Sequence, residues 1–329
     1  MEISKNENRN YLLDNLKGLL IFLVVFGHSL EIYKNENIFI NVAYIFIYLF
    51  HMPVFVFVSG YFSKNLDRCR STAFKTFLIP FIVFNTLWNG LAAIFMGPSA
   101  FSFVTPGWAL WYLMSMFFWK ILIKDLVRIR YIFPLSIFMG LGAGIFTEFD
   151  TLLSLSRTLV FLPFFLAGYY TSEHGLAILK KPSRLYSFCI TVIALTFAVF
   201  AAITNIIPVE FLYGSSPFET YTVPIWLGIT SRALLYLIGF SFVFGLINVL
   251  KQTPTFFSKI GSNTFAIYIL HTYLLIVVFA INHFIPWIAV RILVCFIAAI
   301  GITYLLSRNK VNRYFMKFLN WINHLVLKS

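Results

Sequence analysis

Charge is what this chain has least of. Of its 329 residues 12 are acidic and 25 basic, so only 11% are charged while 60% are hydrophobic, and the mean hydropathy is +0.85. Soluble domains carry about 25% charged residues, which excludes one here; the deficit falls in long apolar runs that only a bilayer solvates. Cysteine is scarce too. Cys69, Cys189 and Cys295 are too few and too scattered for a disulfide framework, and no Cys/His spacing suits zinc, so no metal is expected. A Gly-x-Ser-x-Gly elbow is missing, which leaves a serine triad without support. Internal repeats, low-complexity linkers and large outer loops are missing as well, and one domain over 1–329 is the simplest organisation. Lys5, Arg9 and Lys17 ahead of Leu19 to Phe26 imitate a secretory signal, but the apolar run passes His28 without a small-residue cleavage site, so the segment is expected to stay as a span.

What is present is a series of apolar stretches, each about 17 to 25 residues long, the length that crosses a bilayer as a helix. Ten are expected, near 14–33, 38–62, 74–96, 107–124, 131–147, 157–172, 185–206, 223–249, 262–282 and 285–306. The fold class is therefore all-α, a polytopic membrane protein of about ten transmembrane helices. Thr147-Glu148-Phe149-Asp150 separates the fifth from the sixth, and Pro53 is placed to kink the second. Most cations lie on one side, in the loops after alternate spans, whereas the opposite loops hold Lys34 and Arg157 beside Glu36, Glu148, Asp150, Glu210 and Glu219. The positive-inside rule then puts both termini in the cytoplasm, which an even number of spans requires. The formal charge of +13 is accounted for by that topology and implies no nucleic-acid partner. After the core at 12–306, residues 308–329 place Tyr314, Phe315, Phe318, Trp321, Ile322 and Leu325 at helical spacing between cations, the pattern of an amphipathic helix in the lipid interface.

The first span carries the strongest chemical signal. Lys17 and His28 are eleven residues apart on an apolar helix, a spacing that returns to the same face after a rise of about 16 Å. A lysine at one surface and an imidazole near mid-bilayer are costly placements whose default reading is functional. His51 on the second span and His271 on the ninth fall at similar depth, while Arg232 and Arg291 fall in the outer half and Arg157 at the outer mouth of the sixth. Each has a bland alternative. A transmembrane histidine can simply hydrogen-bond across helices, and Arg157 can snorkel to the interface. Arg232 and Arg291 call for a buried counter-ion, with Glu148 and Asp150 as candidates, or for an anionic ligand.

Taken together these residues resemble the acyltransferase-3 family of integral membrane acyltransferases, especially its sugar O-acetylases. The likeness runs through Leu13-Asp14 and the Lys17 to His28 spacing, His51-Met52-Pro53-Val54-Phe55 to Ser59-Gly60-Tyr61, and Arg70 and Lys75 before Pro80. It continues through Trp111-Tyr112-Leu113 and then Gly261-Ser262-Asn263-Thr264 to Ile267-Tyr268 and His271. The resemblance implies transfer of an acetyl group from cytoplasmic acetyl-CoA to a sugar hydroxyl of a surface or secreted glycan or its lipid-linked precursor, at the cell membrane. Lys17 stands where arginine is frequent in the family, and a lysine offers a point charge in place of a bidentate fork. The chain also ends without the extracellular hydrolase-like domain that some relatives carry.

Acyl transfer from a thioester to an alcohol needs a base near neutral pH or a nucleophile that carries the acyl group, and histidine serves either way. His28, His51 and His271 are the catalytic candidates. The phosphates of coenzyme A ask for cytoplasmic cations, which Lys17, Lys64, Arg68, Arg70 and Lys75 supply. Arg157, Arg232, Arg291 and Trp111 are the acceptor-side candidates. Ser59 suits either a cofactor path or helix packing through Ser59-Gly60. The competing reading is a transporter or flippase of lipid-linked sugars, whose two related halves with matching broken helices are not found here.

Overall fold

The computed structural model describes residues 9–147, 152–181, 183–206 and 208–327, and among them there are helices and no strands. Lys5, Glu148, Asp150 and Lys328 lie outside the described residues. In chain order the helices are α1 (Tyr11–Leu30), α2 (Ile38–Tyr48), α3 (His51–Tyr61), α4 (Leu66–Ala73), α5 (Ile79–Met96), α6 (Trp111–Leu126), α7 (Ile132–Gly142) and α8 (Leu155–Tyr170). There follow α9 (Glu173–Leu179), α10 (Arg184–Thr204), α11 (Ile225–Val249), α12 (Phe256–Gly261), α13 (Thr264–His283), α14 (Ile288–Leu306) and α15 (Asn309–Val326). The chain divides into two compact units, one of residues 1–55, 173–199 and 241–316, the other of 56–172, 200–240 and 317–329.

Among the described residues eight helical segments are long and apolar enough to cross a membrane: Tyr11–Tyr33, Ile38–Tyr61, Leu66–Phe95, Leu152–Tyr170, Arg184–Thr204, Ile225–Val249, Thr264–His283 and Ile288–Leu306. The chain is a multi-pass membrane protein. The fourth and fifth expected spans form shorter helices, α6 with 16 residues and α7 with 11. Lys120, Lys124 and Asp125 crowd the second half of α6, and α7 stops in the glycine-rich run Gly140 to Gly144, where helix propensity is poorest. Gly144 is needed for contact: its carbonyl accepts from Phe218 N at 2.7 Å, and a Cβ there would strike the Phe218 ring.

Prolines set the two irregular spans. Pro53 has no N–H for the Leu49 carbonyl four residues back, so α2 stops at Tyr48 and α3 restarts at His51, with Phe50 N bonded instead to Ile47 O at 3.3 Å. Pro80 does the same to Thr76, and the helix widens to π geometry over Phe74–Leu78 between α4 and α5.

In the first unit α1 is the centre. Asn10 caps it by accepting from Leu13 N. Gly18 and Gly261 then let α1 and α12 meet backbone to backbone: a Cβ on Gly18 would overlap the Phe257 carbonyl, and one on Gly261 the Asp14 carbonyl. Asn15 donates to the carbonyls of Lys251 (2.9 Å) and Thr253 (3.0 Å) and accepts from Thr255 Oγ1. Asn263, beside Gly261, donates to Ser307 O at 2.7 Å, which ties the start of α13 to the end of α14. The run Gly261 to Thr264 is thus a packing device around the start of α1.

The second unit repeats the close approach of small residues. Gly60 on α3 faces the Phe165 carbonyl of α8, and Gly168 on α8 faces the Phe57 carbonyl of α3. Trp111, Ser115 and Trp119, four residues apart on α6, face Phe161, Thr158 and Phe165 of α8. Trp111 stacks on Phe161 and Trp119 on Phe165, at 5.2 and 5.1 Å between centroids, while Ser115 meets the Thr158 hydroxyl at 2.8 Å. Ser59 is hydrogen-bonded to Tyr112. The tail forms α15 as expected, with Phe315, Leu319 and Ile322 buried and a neighbouring stripe of Tyr314, Phe318, Trp321 and Leu325 exposed.

The glycine contacts make a stability prediction. Gly261→Ala should lower stability by about 1–3 kcal/mol, because a carbonyl cannot yield as a side chain does. Gly301→Ala, where nothing lies within 4 Å of an added Cβ, should be neutral. Thermal unfolding of the two variants in the same detergent checks both.

Candidate active site

All three sequence-predicted histidines lie in the first unit. The rings of His28 (α1) and His271 (α13) stand 5.4 Å apart between centroids. Tyr48, at the end of α2, joins the third: its hydroxyl is 3.3 Å from His28 Nδ1, and its ring lies edge-on to His51 at 4.7 Å. The Pro53 break sets this geometry, since it turns the chain between Tyr48 and His51.

Hydrogen bonds fix the tautomers. His51 Nδ1 is 2.8 Å from Ile47 O and His271 Nδ1 is 3.0 Å from Ile267 O. A carbonyl oxygen only accepts, so each Nδ1 carries the proton, and each Nε2 keeps a lone pair in the neutral ring. His271 is fully buried and its Nε2 has no hydrogen-bond partner among the described residues. His28 differs. Its Nδ1 lies 3.2 Å from Glu31 Oε2 with both side chains largely shielded, so the carboxylate accepts from Nδ1, orients the ring and leaves the Nε2 lone pair available. Sequence reasoning passed over Glu31 and Tyr48. The signal was local: Glu31 follows His28 by three residues and Tyr48 precedes His51 by three, the spacing of neighbours on a helix surface.

The candidate cations fall into different circumstances. In the first unit, Asp14 takes Lys17 Nζ on one oxygen at 2.8 Å and Arg9 Nε on the other at 2.6 Å, and is itself buried. Lys64, Arg68, Arg70 and Lys75 belong to the second unit. Lys64 donates to the carbonyls of Tyr169 and Thr171 and so closes the C-terminal end of α8; burial lowers its pKa. Arg70 pairs with Asp125 at 2.8 Å. Arg68 and Lys75 are exposed, and no side-chain ion pair engages either among the described residues.

The three arginines expected on the outer side separate. Arg291 sits in the first turn of α14, its Nε donating to Ile285 O at 2.6 Å and its Nη1 3.6 Å from Glu36 Oε2. It belongs to the first unit. Its counter-ion is Glu36; Glu148 and Asp150, the acids expected for this role, lie outside the described residues. Arg157 and Arg232 belong to the second unit. Arg157 lies over the Trp111 ring at 5.2 Å. Arg232 is 2% exposed, with Phe218 and Phe211 at 4.8 and 5.4 Å from its guanidinium carbon. No cluster of metal-ligating side chains occurs among the described residues.

A histidine whose Nδ1 meets a carboxylate can serve chemically as a base or a nucleophile, and the class of protein follows from its likeness to known proteins. A family model described as an acyltransferase domain matches residues 10–308, and the chain belongs to that family, the acyltransferase-3 membrane acyltransferases. Among curated proteins it is similar to "Nodulation protein NolL" of Sinorhizobium fredii, 35% identical over 133 residues, covering 33% of this chain and 35% of that one. It is also similar to the protein of the same name from Mesorhizobium japonicum, 43% identical over 61 residues, 18% of this chain and 16% of that one. The chain thus spans about a third or less of the length of these relatives. No solved structure matches it. Family membership favours the acyltransferase reading over the transporter.

The Glu31 contact generates a prediction. Glu31→Gln keeps the size of the side chain but removes its charge, so transfer should slow by about tenfold or more, the weight of a charged hydrogen bond of about 1.5–3 kcal/mol. Initial rates and Tm measured on the same preparation check it; the Tm should hold.

Proposed function

We propose that this membrane O-acyltransferase moves an acetyl group from cytoplasmic acetyl-CoA to a hydroxyl of a cell-surface or secreted polysaccharide, or of its lipid-linked precursor, in the plasma membrane with both termini cytoplasmic. The observation that carries the reading is the His28 to Glu31 contact beside the unpartnered Nε2 of His271. His28 Nε2 takes the proton of the attacking hydroxyl as its oxygen bonds to the acyl carbon. When the carbon–sulfur bond breaks, the imidazolium returns that proton to the departing sulfur, so the base is regenerated. Glu31 supports the transient positive charge. His271 Nε2 accepts a second substrate O–H, and His51, through Tyr48, holds the far side of the cluster.

On the donor side, no side-chain ion pair engages Arg68 or Lys75 among the described residues, and both offer donors for phosphate. Within the second unit Arg70 would reach a phosphate by sharing with Asp125, and within the first unit Lys17 would do so by sharing with Asp14. Lys64 serves mainly to close α8. Arg291, neutralised by Glu36, is a tie between the outer ends of α1 and α14, which leaves Arg157, Arg232 and Trp111 for the acceptor.

NMR of surface glycan from cells with and without the gene tests the reading directly: loss of an O-acetyl resonance is expected, and an unchanged spectrum would sink it. In the purified protein His28→Gln should cost about 10² to 10⁴ in transfer rate, because an amide takes no proton near neutral pH. A normally folded His28→Gln protein working at wild-type rate would remove His28 from the chemistry.

Lys17 has its own test. Lys17→Ala leaves Asp14 with Arg9, so the fold should survive, while the KM for acetyl-CoA should rise much more than the KM for acceptor. Lys17→Arg should largely preserve function. Equal effects on both substrates would assign Lys17 to the Asp14 ion pair alone.

A further inference from the structure

Arg232 is the most unusual charge in the second unit. It is 2% exposed on α11, and its Nη1 donates to Gly140 O at 3.3 Å. Its Nη2 is buried with no hydrogen-bond partner, and no carboxylate among the described residues pairs with it. Phe211 and Phe218, themselves stacked at 5.9 Å, cover the guanidinium and exclude water from it. A charge so placed is costly unless an anion meets it.

The surroundings are built for donors. Tyr221 and Arg232 share the Phe211 ring, at 5.7 and 5.4 Å, and Ser156, beside Arg157, donates to Gly214 O next to Ser215 at 2.8 Å; burial pushes the Tyr221 pKa up, and both guanidiniums oppose that shift. The one O–H proton of Tyr221 goes to Glu210 O at 3.1 Å and has to turn from that carbonyl to meet an anion. The backbone is strained close in the chain to Trp111, Arg157 and Tyr221. Trp108 (φ 39°) precedes Trp111, Leu153 and Ser154 (φ 47° and 58°) precede Arg157, and Thr222 (φ 53°) follows Tyr221. Non-glycine residues in the left-handed region persist where the surrounding structure over-determines them, and they gather at ligand clamps.

We propose, resting on the acetyl-transfer reading above, that Arg232, Arg157 and Tyr221 form an anion site for a phosphate or pyrophosphate carried by the acceptor. Two guanidiniums match the charge of a pyrophosphate or phosphomonoester better than that of a single carboxylate, and the bare Nη2 of Arg232 supplies the first bond. A lipid-linked sugar and a phospholipid headgroup present the same chemistry, so the test has to separate them.

The experiment is thermal unfolding of the purified full-length protein in detergent with inorganic pyrophosphate, farnesyl pyrophosphate or phosphatidylglycerol. Acetyl-CoA binding is measured separately. Both pyrophosphates should raise the Tm of the wild type and of the control Arg291→Lys. Apparent affinity should fall about tenfold to a hundredfold in Arg232→Lys, in keeping with lost charged hydrogen bonds, and Tyr221→Phe should weaken it with the fold intact. A response to phosphatidylglycerol alone, lost in Arg232→Lys, would keep the phosphate site but assign it to a membrane lipid. No response of the wild type to any of the three, or an undiminished response in both Arg232→Lys and Tyr221→Phe, would overturn the proposal. Equal destabilisation by Arg232→Lys and by Glu148→Gln with Asp150→Asn, without a phosphate response, would overturn it too and assign the guanidinium to an internal ion pair. Absence of acetyl-CoA binding alongside an intact pyrophosphate response would defeat the transferase reading and leave the anion site standing.

Discussion

Two carboxylates on one apolar helix hold the candidate centre in place. Asp14 at the start of α1 is buried between Arg9 and Lys17, and Glu31, just past its end, holds His28 Nδ1. Asp14 cannot be left bare at that burial, since an unpaired carboxylate in an apolar bundle is far more costly than a paired one, and Glu31 is half-buried. The pairings therefore fix what surrounds α1. Arg9 is brought against the chain near Ser258, to whose carbonyl it donates at 3.2 Å, and His28 is turned so that Nε2 is its basic atom.

Backbone chemistry completes the centre. In a bilayer every carbonyl without a donor is a liability, so a proline inside a span has to be compensated locally. At Pro53 the compensation is a break that ends α2 at Tyr48, and the imidazole of His51 becomes a donor to Ile47 O close to that break. At Gly18 and Gly261 the opposite device operates: with no side chain in the way, α12 lies directly on α1 and carries the start of α13, and so His271, to its place beside His28. The signature residues Gly261 and Asn263 are in this sense scaffolding for a histidine eight to ten residues further on.

Arg291 and Arg232 show how one residue type takes opposite roles. Arg291 has an acid, a carbonyl and the Tyr33 ring about it, and its charge is accounted for within the first unit. Arg232 has one carbonyl and two aromatic faces, which satisfy part of a guanidinium and leave one nitrogen bare. Sequence reasoning gave both the same outer-half depth and could not tell them apart, because depth follows from counting along a helix whereas neutralisation depends on which distant residues pack against it.

The sequence by itself determined the class of this protein. Charge scarcity and long apolar runs demand a helical membrane protein, because only helices satisfy the backbone of a single apolar stretch in hydrocarbon. The Lys17 to His28 spacing, with the ordered motifs at His51 and Gly261 to His271, was enough to name the family. What the tertiary structure alone decided is which groups act on which. It put His28 beside His271, gave Lys17 to Asp14, Lys64 to the end of α8 and Arg291 to Glu36, and left Arg232 with a bare nitrogen. The reason is physical: periodicity and hydropathy record whether a side chain faces lipid or protein, but the partner of a buried charge is set by contacts between helices up to hundreds of residues apart in the chain.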